Sequence, residues 1–579
     1  MKDVSAKTKE TKGSQGIMKT ACSLIILFFS IYAVGCSGIA RYKAVEPVPG
    51  DKANIPQPAK REINVLANGF DKQISEQIEQ SIDLSRQLRN IFGKRKEAYN
   101  VDDFDEVANS SWFVNRNFRK KMSIEEIFKG PDKGNGPDTS GVWTIFRAKS
   151  QGVTPGFHIR DSRGDNYVIK FDPPGYLEMI IGSELVSTKL FFAAGYHTPE
   201  NYRIYFRPEI LKLGENVKIL DVKGTKRLMT NSDLEDILKK VEILPDGSIL
   251  ALASKYIEGK LLGPFKYKGI RKDDSNDIIP HQHRRELRGL RVIAAWLNHF
   301  DTKAGNSMDS YVTEGNRRYV RHYLMDFGST LGSGAISPAD MNTGFENYFD
   351  PHVIFLNFIS LGLYVRPWEK LKENEYPSIG NYESSLFRPE KYKFISPNPA
   401  FENMTDRDGY WGAKIVMSFT DEQIKAAVSS ADYSDHDAAD YLTRTIIERR
   451  DIIGRYWFSK VNPLDKFSII PDSSEGSFLG FSDLAKDGGL VFSEDNYYQI
   501  VIRRQDGTSY SKVVLKNKTN FKLPIFAGDN LSIEDPKIFT VEIRTRRNSS
   551  GLWSKKVLMY IACNPELGEY NLLGIRRET

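Results

Sequence analysis

The sequence predicts an α+β protein that closes with a separate all-β unit, and three patterns predict it. Between 152 and about 335, runs with a two-residue hydrophobic period alternate with runs of helical period. From 336 to 465 helical patterns dominate. From 466 onward the period switches to two, with turn residues between the runs. A chain of 579 residues has room for two or three folded units.

The N-terminal segment has its own logic. Lys2, Lys7, Lys9, Lys12 and Lys19 precede one apolar run, Cys22 to Val34. That run is shorter than the roughly 20 apolar residues of a membrane span. It has the basic start and apolar middle of a secretory signal, and Met18 opens a compact version of the same pattern. AVGCSG follows, with small side chains directly before Cys36. This stretch resembles the lipobox of bacterial lipoproteins, with Ala33 where Leu is commonest. The resemblance implies a signal peptide over 1–35, cleavage before Cys36, and acylation of that cysteine with fatty acid such as palmitate. It places the protein in the cell envelope, held to a membrane by its lipid. Of the three cysteines only Cys563 then remains unused, inside the apolar run VLMYIAC, where a buried inert thiol is expected. The net charge of +6 is small for this length and gives no reason to expect nucleic acid as a partner.

Residues 36–62 are rich in Pro and polar side chains and read as a tether. An extension over 63–150 begins with a helical pattern, DKQISEQIEQSIDLSRQLRNIF, and continues with two aromatic segments, SSWFVNRNF and GVWTIFRAKS, expected to pack on the next unit. GFHIRDSRGDNYVIKF is two alternating runs around a turn, a β-hairpin. LEMIIGSELVSTKLFFAAG is helical up to Gly195, and SILALASKY is a buried strand. RELRGLRVIAAWLNHF spaces Leu287, Leu290, Ile293, Ala294 and Leu297 on one helical face. A second hairpin turns at Gly315-Asn316. Further on, Thr420 and Gln423 form a capping-box pair, and AADYLTRTIIERRDIIGRYWF is a long helix. The final runs, among them YYQIVIRR, SYSKVVLKN, IFTVEIRTRR and KKVLMYIAC, predict a β-sandwich over 466–579. His281 and His283 lack an evident third metal ligand and read as a surface loop, and GSTLGSG lacks the Lys-Ser/Thr ending of a P-loop.

HFDTKAGN, residues 299–306, lies between the amphipathic helix and the second hairpin and taken alone reads as a polar turn. That hairpin leads into Asp326-Phe327-Gly328. The order His299-x-Asp301-x-Lys303-x-x-Asn306, hairpin, Asp-Phe-Gly resembles the catalytic core of the protein kinase-like superfamily. LNHFDTKAGN and the helix LVSTKLFFAAGYHTPE are similar to its atypical HipA-like and phosphatidylinositol kinase-like branches.

The resemblance implies a two-lobed domain, with an N-lobe over 151–260 and a C-lobe over 261–465. It implies ATP and Mg²⁺ as cofactors and a hydroxyl on protein, lipid headgroup or sugar as acceptor. Asp301 would take the acceptor's proton, and Lys303 would sit beside the moving phosphoryl. Asn306 and Asp326 would hold Mg²⁺, a hard cation that prefers oxygen ligands. Gly328 would let the backbone turn. Lys170, in NYVIKF, would bind the α- and β-phosphates. Glu178 and Glu184 are the candidates to orient it; being six apart they do not share a face, and Glu184 leads the more similar helix. Tyr256 and Ile257, in SKYIEG, fall where a hinge would meet adenine.

Three features depart from the pattern. No G-x-G-x-x-G precedes Lys170, no Ala-Pro-Glu follows Gly328, and Phe300 replaces the arginine that would read an activation-loop phosphate. The alternative is a catalytically inactive kinase-fold binding or scaffold lipoprotein, since ATP is expected to be scarce outside the cytoplasm. The acceptor site and the β-unit carry no motif that names their ligands.

Overall fold

The computed structural model describes residues 42–61, 95–134, 136–148, 156–220, 226–348, 350–472, 476–491, 493–504, 506–524, 537–564 and 569–579. Cys36, the apolar run before it and the helix expected over 71–92 lie outside the described residues. The described chain is a mixed α/β structure with several sheets. Among the described residues no helix is long and apolar enough to cross a membrane.

The first sheet is built from β1 (Trp143–Ala148), β2 (Gly156–Arg160), β3 (Asn166–Lys170), β4 (Asn201–Phe206), β5 (Leu211–Leu213) and β8 (Ile249–Lys255). Their order is β4-β8-β3-β2-β1-β5. A small pair, β6 (Lys218–Leu220) and β7 (Lys226–Leu228), stands beside it. The β2–β3 hairpin closes on Asp161, whose carboxylate accepts from the backbone N–H groups of Arg163 and Asp165, while Gly164 takes the left-handed angle the turn needs, φ 87°. Trp143 and Ile145 alternate inward with Phe157, Ile159, Tyr167 and Ile169 to fill one face. β1 therefore joins this sheet from within the stretch read as an extension.

Against the other face runs helix α2 (Met179–Ala194), preceded in the chain by a short α1 (Ile124–Lys129). α2 is apolar on nearly every side and buried almost throughout. Gly195 ends it at φ 124°, and a Cβ there would lie 2.3 Å from the Phe113 ring. Its start is held by Asp172, which accepts from the N–H groups of Glu178 (2.7 Å), Ile180 (2.7 Å) and Ile181 (3.1 Å).

After α3 (Asn231–Leu238) and β9 (Lys260–Gly263) comes α4 (Arg285–Trp296), with Leu287, Leu290, Ile293, Ala294 and Leu297 all buried. β10 (Ser307–Glu314) and β11 (Arg317–Leu324) form the second hairpin in register Ser307↔Leu324 to Glu314↔Arg317, and β9 adds to its edge. Its turn carries Gly315 at φ 58°. α5 (Pro351–Ile359), α6 (Asp406–Val416), α7 (Asp421–Ser429) and α8 (His436–Lys460) follow. Thr420 and Gln423 make the reciprocal capping bonds expected of them.

The C-terminal strands β12 (Leu464–Asp472), β13 (Gly476–Asp483) and β16 (Asn520–Lys522) form one sheet. β15 (Ser509–Lys516), β14 (Asn496–Arg503), β17 (Lys537–Arg547), β18 (Val557–Asn564) and β19 (Glu569–Arg577) form another. Leu464, Leu479 and Phe481 from the first share a core with Tyr498, Ile500, Val541 and Met559 from the second. Cys563 is buried in that core, and burial pushes its thiol pKa up.

Two further features depart from the sequence reading. Residues 42–61 are not a loose tether: they run as an extended strap over the body. Tyr42 packs on Tyr560 at 5.4 Å, and Asp51 accepts from the backbone N–H (2.9 Å) and Oγ (2.7 Å) of Ser111. Ile55 is buried with Leu262 and Val320, and the Arg61 N–H donates to Leu262 O at 2.7 Å. Gly263 makes room: a Cβ there would lie 2.0 Å from Arg61 O. No hydrophobic period announces such a strap, because backbone bonds and a few single side chains hold it.

The second departure is that HQH is no surface loop. His281 is buried, with Nε2 2.7 Å from Asp277 Oδ2. His283 is half-buried; it stacks on Tyr99 at 4.4 Å and its Nδ1 accepts from Arg288 at 2.7 Å. Burial first, then the Arg288 and Lys96 cations, lower its pKa from 6.5 to about 4. The unfolded chain therefore binds the extra proton between these values. The contribution to stability is full above pH 6.5 and is lost as pH falls toward 4. His283→Gln should flatten the fall in melting temperature across that window; an unchanged profile would exclude His283 as its source.

The termini of these units are joined by buried charge. Asp105, in a left-handed conformation at φ 64°, bonds Arg285 (3.1 Å), Arg407 (2.7 Å) and Arg577 (3.4 Å). Asp465 bonds Arg577 (3.0 Å) and Lys414 (3.2 Å), and Lys414 also pairs with Glu106. Asp408 closes the network on Arg285 (2.6 Å) and Arg288 (3.0 Å). Strands β12 and β19 are thus tied to α4, α6 and the loop at 105–106.

Candidate active site

Lys170 ends β3 on the face away from Tyr167 and Ile169. Its Nζ donates to Glu184 Oε2 and to Asp326 Oδ1, both at 2.8 Å. Glu184 is fully buried on α2, whereas the Asp326 side chain is 59 % exposed. One ammonium therefore joins the sheet, the helix and the Asp-Phe-Gly turn. Burial alone would lower the Lys170 pKa, but the Asp326 and Glu184 carboxylates outweigh it and hold the ammonium above its usual range. Burial raises the Glu184 carboxyl, with Lys170 partly offsetting it. Glu184 Oε1 is buried with no hydrogen-bond partner among the described residues.

Glu178 has a different place. It bonds Arg203 Nη2 at 2.6 Å and accepts from the Ser434 N–H and Oγ at 3.0 and 2.9 Å. It ties the start of α2 to the segment between α7 and α8, and does not meet Lys170.

Asp301, Lys303 and Asn306 form a second group. Lys303 Nζ lies 2.7 Å from Asp301 Oδ2. Asn306 Nδ2 donates to Asp301 O at 2.8 Å and to Asp301 Oδ2 at 3.1 Å. With its amide N–H group so committed, Asn306 turns its amide oxygen the other way. The backbones that carry the two groups are joined at the base of the hairpin, where the Met325 N–H donates to Asn306 O at 3.0 Å. His299 sits behind both, buried, its ring 5.7 Å from Phe191 and 5.6 Å from Phe327. Burial lowers its pKa, so the ring is neutral near pH 7.

The Asp-Phe-Gly turn differs from expectation in which residue carries the unusual angle. Asp326 itself is left-handed at φ 61°, and Gly328 is not in that region. What Gly328 supplies is proximity: a Cβ would stand 3.0 Å from Ile180 Cγ2 and 3.2 Å from Glu184 Oε2. Phe327 is fully buried and stacks on Phe191 of α2 at 4.8 Å. The turn is seated on the helix that carries Glu184.

Tyr256 and Ile257 lie at the other end of the sheet. Lys170 pairs with Leu252 and Tyr167 with Lys255, so Tyr256 is about 13 Å along β8 from the Lys170 register by strand rise. The Tyr256 N–H is spent on Asn166 O at 3.0 Å, and its hydroxyl meets His158 Nδ1 at 2.6 Å. Any hinge contact with a ligand would fall to the Tyr256 carbonyl and the Ile257 backbone. The sequence reading missed Asp172, whose capping of α2 fixes where Glu184 stands; its signal is an acid directly after the strand, in KFDPPG. Burial raises the Asp172 carboxyl to about 7 against three N–H donors.

Among the described residues no three His, Cys, Asp or Glu stand together as a metal cage. The Asp326 carboxylate and the Asn306 amide oxygen are hard donors of the kind Mg²⁺ accepts in small number, with phosphate and water completing its shell.

No family model and no curated protein matches the chain. Among solved structures, the Helicobacter pylori proinflammatory kinase CtkA is 11% identical with a TM-score of 0.28, covering 56% of this chain and 98% of its own. The Golgi casein kinase is 11% identical with a TM-score of 0.26, covering 72% of this chain and 95% of its own. The same kinase with Mn/ADP bound is 10% identical with a TM-score of 0.26, covering 71% and 94%. Likenesses this slight carry no argument about chemistry, which rests on the geometry above.

Proposed function

We propose that the chain is an atypical, two-lobed kinase-like phosphotransferase of the cell envelope, lipid-anchored at Cys36 and ending in a β-sandwich. It transfers the ATP γ-phosphoryl group to a hydroxyl. The observation that carries this reading is the Lys170 ammonium shared by Glu184 and Asp326. A sheet lysine oriented by a buried helix acid, beside a half-exposed carboxylate, suits the cradling of phosphates next to a metal ligand.

In this reading Lys170 binds the α- and β-phosphates and Glu184 fixes its direction. The Tyr256 carbonyl and the Ile257 backbone would meet the adenine. Asn306 and Asp326 hold Mg²⁺, which when bound neutralises phosphate charge. Asp301 takes the proton of the acceptor hydroxyl as its oxygen bonds to the γ-phosphorus. The bond from that phosphorus to the β–γ bridging oxygen breaks, and ADP leaves with the electron pair. Lys303 exchanges its bond to Asp301 for one to the moving phosphoryl.

The test is a melting curve of the full chain with Mg²⁺ alone and with Mg²⁺-ATP. A ligand at one hundred times its Kd adds about 2.7 kcal/mol of stability. The shift should appear in the unmutated protein and vanish in Asp326→Asn. No shift in the unmutated protein would favour the scaffold reading instead.

A further inference from the structure

A cavity of about 870 Å³ lies outside the residues assigned above, bounded by α4, α8 and the segment from 341 to 402. It reaches the underside of the catalytic loop through Asn298 and Asn398; Asn398 donates to Thr302 O at 3.2 Å. Its volume suits a ligand of several hundred daltons.

The charges at this cavity are unbalanced. Arg271, Arg284, Arg285, Arg288, Arg450 and Arg577 are buried, and each bonds a carboxylate. Arg449 is equally buried, at 3 % exposure, and lines the cavity without a carboxylate partner among the described residues. Its Nη atoms donate to Glu383 O and Ala295 O at 2.8 and 2.6 Å. It lies 3.7 Å from the Phe387 ring and 4.7 Å from that of Tyr382. Its Nε is buried with no hydrogen-bond partner among the described residues, as are those of Arg271, Arg284, Arg285 and Arg577 and that of Arg291, which also lines the cavity. Arg291, partly buried, makes two long bonds, 3.4 Å each, to Phe401 O and Tyr392 O, and the Glu402 carboxylate is its nearby counter-charge. Around the walls six Lys and Arg face four Glu; Glu346 is taken by Trp368 and Arg366, and Lys393 is taken by Asp350. A buried guanidinium without a carboxylate partner, as at Arg449, is costly to hold, and an anion offsets that cost.

A second, independent observation concerns the lip. His352, Val353, Tyr364 and Trp368 line the cavity from α5 and the turn after it. The outer side of the same segment is apolar and exposed: Phe355 59 %, Phe358 78 %, Leu361 90 % and Leu363 83 %. Lys370 and Lys372 follow, both exposed. An apolar helix with an aromatic and basic flank is the composition of an element lying in a bilayer interface.

We infer that this cavity and its apolar lip bind one anionic phospholipid, the phosphate between Arg291 and Arg449 and the acyl chains along Phe355, Phe358 and Leu361. The site stands apart from the phosphotransfer reading and survives its failure.

Calorimetric titration of the full chain tests it with three probes: a short-chain phosphatidylglycerol, glycerol phosphate, and an uncharged short-chain diacylglycerol. Phosphatidylglycerol should bind most tightly. Arg291→Gln should weaken it about tenfold, the loss of one charge-assisted contact. Phe358→Ser with Leu361→Ser, both exposed, should weaken the lipid and leave glycerol phosphate unchanged. Equal binding of diacylglycerol would overturn the anion site, and equal binding of glycerol phosphate would overturn the lipid. An apolar lip covered by a second copy would show as a dimer that Phe358→Ser with Leu361→Ser dissociates, and that too overturns the proposal.

Discussion

Asp105→Asn should cost about 3–5 kcal/mol of unfolding free energy, because it strands buried guanidinium groups without their counter-charge. Three of them meet that one carboxylate: Arg285, Arg407 and Arg577. Burial alone would raise the Asp105 pKa, but the three cations together hold it well below the usual carboxylate range. Its contribution is therefore complete above its unfolded value, near pH 4, and is lost only as pH falls below that. Urea unfolding at neutral pH measures the effect, with Asp440→Asn on an exposed position of α8 expected within about 0.5 kcal/mol of the parent. A midpoint for Asp105→Asn as close to the parent as that control would show that the network carries no stability.

Asp301→Asn should lower turnover by about 10²- to 10⁴-fold, the range for removal of a general base, while nucleotide-induced stabilisation persists. Lys170→Met should weaken both, since the methionine keeps the bulk and removes the charge that joins Glu184 to Asp326. ADP release with saturating Mg²⁺-ATP reads the first, and the melting curve reads the second. Full turnover in Lys170→Met would remove the basis of the phosphotransfer reading. Loss of nucleotide binding in Asp301→Asn would move Asp301 from the reacting hydroxyl to the nucleotide.

What the sequence disclosed follows the range of the interactions. The hairpin at Gly315-Asn316, the cap at Thr420 and the apolar face of α4 are local, and their spacing is written in consecutive residues. Asp301, Lys303 and Asn306 also touch over short sequence distance. Lys170, Glu184 and Asp326 do not; 156 positions separate the first from the last, and only a family resemblance could connect them. The buried ion network was invisible because an isolated Asp or Arg in a sequence reads as solvated surface. The strap was invisible for a related reason: Ile55 and Asp51 act singly, without a period. Gly328 was misassigned because the resemblance implies a sharp turn there, when here it serves close packing against α2.

The pinned course of residues 42–61 also sets a leash. Only six positions separate Cys36 from Tyr42, which is already docked on Tyr560, and six residues span at most about 20 Å. With a fatty acyl group on Cys36, the body would hover within that thin layer instead of sweeping a wide hemisphere. On the proposed function, an acceptor would then have to come to the bilayer surface, or already live there.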